Sequence, residues 1–181
     1  MKTKQFTKTL GVLAVGSMLL TQAPQAESVG LIGVGVTAYT FDTLDSLGLS
    51  NSYTAPALTL KLGAKNEDFR FLLGYSFIAD ETVAGSTAAN TYILGQLDYM
   101  FYNIPTNSGA IRPYIGFVVG YEEYKYNDTI DESGGAYGGE IGAIWDFETF
   151  SIDAGISYMD SSLDSVNDAY GFTLGFNYKI Y

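Results

Sequence analysis

Nine charged residues fall at alternate positions inside otherwise apolar stretches: Lys61, Arg70, Asp98, Arg112, Glu122, Glu140, Asp146, Asp153 and Lys179. Residues of these types support three chemistries. Two carboxylates held at a fixed separation, Asp146 and Asp153 for example, are the acid and base of a hydrolase. Charges of both signs on one shielded face pair and neutralise one another, because an unpaired charge out of water costs several kcal/mol. The same charges, exchanging partners such as Arg112 and Glu140, would line a gated ion path. Composition separates the three. The 181 residues include no His and no Cys, which removes the Ser-His-Asp triad, thiol nucleophiles and Cys- or His-bearing metal centres. We therefore expect no catalytic residues, no cofactor and no metal site, and read the nine charges as a neutralising network. A narrow channel for ions or small solutes is the alternative.

A second set is acidic almost without exception: Asp42, Asp45, Asp80, Glu81, Asp128, Asp131, Glu132, Asp160, Asp164 and Asp168. Oxygen ligands suit Ca²⁺ or Mg²⁺, and such ions bridge the phosphates of lipopolysaccharide. No EF-hand spacing occurs, and Asp128-Thr129-Ile130-Asp131-Glu132 is only a loose cluster. The expected role is a solvated, repulsive surface, with divalent cations or host and surface ligands as candidate partners. The net charge of −11 and pI near 4.1 exclude nucleic acid, whose phosphates call for clustered Lys and Arg. Gly30, Gly33 and Gly35 resemble fragments of a phosphate loop, but no helical pattern follows them.

The elements that must position these residues show in the hydrophobic period. Alternation of period two recurs in eight stretches, 29–40, 57–65, 69–78, 91–101, 111–124, 137–147, 150–159 and 169–180, each bounded by polar or Gly-rich turns. One face reads Ile32, Val34, Val36; Leu58, Leu60, Leu62; Phe69, Phe71, Leu73, Tyr75, Phe77; and so on to Phe172, Leu174, Phe176, Tyr178, Ile180, without a single charge. The other face is small and polar and holds all nine charges. A soluble sandwich would bury the apolar face and show water a charged one. Here the would-be surface is glycine-rich and the apolar face is aromatic, so the pattern reads inside-out, with apolar residues to lipid and polar residues within, as in a transmembrane β-barrel. Aromatics gather at both stretch ends, as interfacial girdles do. With an even number of strands, 41–56, 79–90, 125–136 and 160–168 are expected as outer loops, and 66–68, 102–110 and 148–149 as periplasmic turns.

Residues 1–26 are expected to be a signal peptide. Lys2, Lys4 and Lys8 precede the apolar run Leu10 to Leu20, and small residues follow, with cleavage after Ala26 or alternatively Ala23. The run falls well short of the ~20 residues a membrane helix needs. Residues 27–181 then form the barrel domain.

Four segments carry a family likeness. Arg112-Pro113-Tyr114-Ile115-Gly116, followed by Gly120-Tyr121, is similar to the fifth strand of the small outer-membrane barrels. Gly33-Val34-Gly35-Val36 matches their first strand, Leu97-Asp98-Tyr99 their fourth, and the aromatic alternation from Phe172 to Ile180 their last. Over essentially all of residues 27–181 the sequence resembles the OmpA transmembrane domain, the OmpX/Ail proteins and the opacity-type proteins. The resemblance implies an all-β, eight-stranded antiparallel up-and-down transmembrane barrel. It would be a monomer in the outer membrane of a Gram-negative envelope, in contact with lipid and lipopolysaccharide, with a structural, envelope-integrity or adhesin-like role exercised through its acidic loops. Two features depart from the pattern. The usual terminal Phe is replaced in register by Ile180, with Tyr181 as an extra residue. We expect no periplasmic domain after the barrel, so the resemblance does not imply an OmpA-like peptidoglycan anchor.

Overall fold

The computed structural model describes residues 28–43, 52–83, 86–126 and 130–181. The expected signal peptide, 1–26, and both of its candidate cleavage points lie outside the described residues. Ten strands follow in order: β1 (Val29–Thr43), β2 (Tyr53–Lys65), β3 (Phe69–Ile78), β4 (Glu81–Val83), β5 (Ser86–Met100), β6 (Ile104–Thr106), β7 (Gly109–Tyr126), β8 (Ile130–Asp146), β9 (Phe150–Ser161) and β10 (Val166–Ile180). All pairings are antiparallel, and because β1 pairs with β10 as well as β2 while β5 pairs with β7, the sheet closes on itself. The strands form eight lines around the barrel. β4 continues the line of β3 along β5 after a break at Ala79-Asp80, and β6 continues the line of β5 along β7. Closure pairs each of the eight lines on both sides through the apolar belt, which is the condition for a strand to enter hydrocarbon.

Alternation within each line decides what faces where. Ile32, Val34 and Val36 point outward from β1, as do Leu58, Leu60 and Leu62 from β2 and Ile115 and Phe117 from β7; Val36 is 58% exposed and Phe117 56%. A belt of that size would be a grave liability in water and is what lipid requires. Two aromatic rows bound it. At the periplasmic end Trp145 and Phe147 lie 5.0 Å apart between ring centroids, Phe147 and Phe150 4.4 Å, and Tyr99 and Phe101 5.3 Å. At the outer end Tyr75 and Phe77 lie 4.6 Å apart and Tyr158 and Tyr170 5.2 Å.

The strands run further outward than the belt. The segment 125–136, expected as a loop, is largely the continuation of β7 and β8, whose register holds from Ala110↔Asp146 to Tyr126↔Ile130. β2 and β5 likewise begin before the expected positions, while the break at 79–80 and the small strand β4 fall inside the expected loop 79–90. The cause is a reversal of polarity at the outer aromatic row. Below it the outward residues are apolar. Above it Glu123 and Lys125 face outward to water while Tyr124 is buried within. The protruding part of the barrel therefore has an ordinary hydrophobic core of Tyr39, Phe41, Ala55, Ala57, Ile78, Ala88, Tyr92, Val118, Tyr124, Ala136, Met159, Leu163, Val166 and Ala169.

Two adjacent glycines show how tightly the wall is wound. A Cβ on inward-facing Gly138 would stand 1.9 Å from the Tyr158 carbonyl oxygen, whereas one on outward-facing Gly139 would meet only the Gly116 carbonyl oxygen at 3.5 Å. Gly138 is a bending point of the sheet, where a side chain would block the approach of β9.

Candidate functional site: an interior filled in tiers

Strand parity sends Lys61, Arg70, Asp98, Arg112, Glu122, Glu140, Asp146, Asp153 and Lys179 inward. The structure distributes them over three heights. At mid-depth, Arg70 is 1% exposed and Asp98 is fully buried. The Arg70 Nε donates to Asp98 Oδ2 at 2.7 Å, and its Nη1 to Asp153 Oδ1 at 3.3 Å. Lys61 Nζ reaches the other oxygen of Asp153 at 3.2 Å, and Asn177 Nδ2 donates to Asp153 Oδ1 at 2.5 Å. Gln96 donates to Asp98 Oδ1 at 2.9 Å. The guanidinium also lies over the Tyr114 ring, 4.7 Å from its centroid, and the Tyr114 hydroxyl donates to Glu140. Two cations are thereby held by two aspartates, with Glu140 bonded to a neutral phenol. Arg112 and Glu140, whose exchange would mark an ion gate, are not partners: Arg112 donates to the Glu67 carbonyl oxygen instead.

At the periplasmic mouth Asp146 binds two lysines, Lys65 at 2.5 Å and Lys179 at 2.8 Å. Lys179 also donates to the Phe147 carbonyl oxygen. Lys65, which is not among the nine charges read from the sequence, joins them here. It is 6% exposed, and its sequence position does carry the signal, since Lys61, Gly63 and Lys65 share one face of β2. Five interior cations thus stand against five interior carboxylates.

Above the mid-depth cluster the wall turns to hydroxyls. Thr37 and Thr173 bond at 2.9 Å and Thr59 and Ser76 at 2.8 Å. These groups, with Gln96, Glu140 and Ser157, line a chamber of about 40 Å³ that is roofed by Tyr39, Leu94, Val118 and Met159. A space of that size holds a few water molecules. Higher still, the core of the protruding part fills the cross-section, its rings packed Tyr39 to Tyr92 at 5.5 Å and Phe41 to Tyr53 at 5.1 Å. Sequence reading missed this apolar tier because it took the inner face as uniformly small and polar. Tyr92, Leu94 and Val118 nevertheless keep the inward parity of their polar neighbours, as do Leu72, Tyr114 and Ile144 lower in the barrel.

The acidic set lies around the outer end. Asp42, Asp168 and Asp160 stand side by side on β1, β10 and β9, with Tyr170 and Tyr158 donating to Asp168 and Asp160 from just below at 3.4 and 3.3 Å. Asp80 lies in the break before β4 and Glu81 opens that strand, and Asp131 is the register partner of Lys125. Glu132 accepts from both the backbone and the hydroxyl of Ser165, and Asp164 is exposed. Asp45 and Asp128 lie outside the described residues. Among the described residues no group of three acidic side chains has the geometry of a metal site.

No protein-family model matches the chain, and no curated protein sequence matches it significantly. Solved structures do. Neisserial surface protein A is similar with a TM-score of 0.64 and 15% identity, over 85% of this chain and 98% of that one. Outer membrane protein H of P. aeruginosa gives 0.57 and 19%, over 84% and 99%. Identities this low speak for the fold. Closed barrel, lipid-facing belt and neighbours define the class: an eight-stranded antiparallel transmembrane β-barrel with the fold of the small outer-membrane barrels.

Proposed function

We propose that this is a non-catalytic, non-conducting barrel that serves the envelope mechanically and by surface contact, its working face being the acidic extension above the outer aromatic row. The observation that carries the reading is the filled interior. A side chain network with five ion pairs occupies the lower half, and an aromatic core occupies the upper. An eight-stranded barrel is just wide enough to be filled in this way. The barrel closes without help from another chain, which suits a monomer. The row Asp42, Asp168, Asp160 offers carboxylates at the height where lipopolysaccharide phosphates begin, so divalent cations or a basic surface ligand are the partners its charge favours.

Planar-bilayer recordings on protein purified in detergent separate this reading from the narrow channel. Silence over a wide voltage range supports the filled barrel, and steady, resolvable unitary steps support a conduit. Surface binding is tested separately, by removing the acidic rim residues and measuring attachment of cationic ligands to intact cells.

A further inference from the structure

Inside the aromatic tier sits a group of polar atoms that the protein itself does not use. Glu122 is fully buried, as is Tyr124, and Asn90 is 4% exposed. They belong to consecutive inward pairs of one ladder, Asn90↔Tyr124 and Tyr92↔Glu122, so their side chains stand within about 8 Å of each other across neighbouring strands. The Ser161 hydroxyl donates to one oxygen of Glu122, and the Tyr92 hydroxyl also hydrogen-bonds to this carboxylate. The other oxygen, the Tyr124 hydroxyl and both ends of the Asn90 amide have no hydrogen-bond partner. Native interiors rarely leave one such atom unpaired, and here four belong to three residues on consecutive inward rungs of one ladder. Nor is there a counter-ion. The five ion pairs among the described residues all involve Asp98, Asp146 or Asp153, and Lys125, next along the chain from Tyr124, faces outward to solvent. Burial pushes the Tyr124 hydroxyl up to about 12, so it stays a neutral donor and acceptor.

We infer that Glu122, Asn90 and Tyr124 form a binding site for a small primary amine, taken up as its ammonium ion from the outer side. An ammonium group has three hydrogens to donate. The site presents three unpaired acceptors: Glu122 Oε2, Asn90 Oδ1 and the Tyr124 hydroxyl oxygen. The carboxylate supplies the missing counter-charge, and the ring of Tyr92, with Tyr39 and Phe41 packed on it, gives the aromatic faces to which a desolvated cation is drawn. The unpaired Asn90 Nδ2 is left to meet a hydroxyl or carbonyl oxygen on the ligand. A calcium ion is a poorer match, since it prefers six or more oxygens and several carboxylates. The chamber directly beneath Tyr39 and Val118 leaves space into which these side chains can shift when the site fills.

The test is titration of the detergent-purified protein with ethylammonium chloride, followed by backbone amide NMR, with ethanol and calcium chloride as parallel probes. Saturable shifts confined to residues near 90–92 and 120–124, produced by ethylammonium and not by ethanol, are expected. Glu122→Gln should weaken the apparent affinity at least tenfold, and Tyr124→Phe, which removes one oxygen and keeps the ring, about threefold or more. Heat-modifiable gel mobility verifies that both variants are folded, and Tyr124→Phe serves as the probe if Glu122→Gln is not. Absence of localised shifts, an equal response in the folded variants, or a response to calcium and not to the amine would each overturn the assignment.

Discussion

Arg70 and Asp98 are register partners on β3 and β5, joined at 2.7 Å with the arginine 1% exposed and the aspartate fully buried. Neither has access to water, so each depends on the other and on Asp153. Asp98→Ala would leave the guanidinium with Asp153 alone, a carboxylate it shares with Lys61, and should lower the unfolding free energy by about 3–5 kcal/mol. Lys65→Met should cost distinctly less, because Asp146 keeps Lys179 at 2.8 Å. Urea unfolding of the two variants in the same detergent, followed by gel mobility, checks the order; equal losses would mean that the mid-depth cluster is not the tighter one.

Gly138 and Gly139 should respond oppositely to the same substitution. Gly138→Val drives a side chain into the Tyr158 carbonyl and is expected to prevent closure, giving protein that runs unfolded on unboiled gels. Gly139→Val points into the lipid face and should fold as the parent does.

Polarity along the outside of β7 reverses within six residues. Phe117→Arg places a cation in the belt and should cost roughly 2–4 kcal/mol, as charged residues near the bilayer midplane do. Glu123→Arg lies on the same face above the outer aromatic row and should leave stability within about 0.5 kcal/mol of the parent. Refolding yields into vesicles compare the two directly.

Asp42, Asp168 and Asp160 repel one another across adjacent strands. Asp168→Asn should therefore stabilise the barrel by a few tenths to about 1 kcal/mol at low salt, the usual size of a like-charge cross-strand penalty. The gain should shrink as salt screens the row. A loss of stability on this substitution would show that repulsion does not dominate this row and that the hydrogen bonds from Tyr170 and Asn167 outweigh it.

Much of this architecture is legible in the sequence, and what is not has a physical reason. Ile32, Val34 and Val36 announce a strand in lipid because only hydrocarbon tolerates that face without a charge. The inward charges follow from the same parity. The outer halves of β7 and β8 escape because the alternation of Glu123, Tyr124 and Lys125 has the opposite sense, apolar inward, and an unbroken strand then looks like the start of a loop. Lys65 escapes because the turn residues Asn66 to Asp68 follow it immediately. Which cation meets which carboxylate depends on strand tilt and stagger, which no local pattern encodes; Arg112 therefore ends on the Glu67 carbonyl and not on Glu140. The unpaired atoms of Asn90 and Glu122 are invisible to any reading that lacks their surroundings.

The chain has no cysteine, so a single-cysteine scan of β7 from Ile115 to Lys125 reports on every position separately. Each variant would be labelled in intact cells with a charged, membrane-impermeant maleimide. A filled barrel with reversed polarity above the outer row predicts labelling at 123 and 125, none at the lipid-facing positions 115, 117 and 119, and none at the inward positions 116, 118, 120, 122 and 124. Labelling of inward positions down to 116 would reveal a water-filled lumen open to the outside and would contradict the account.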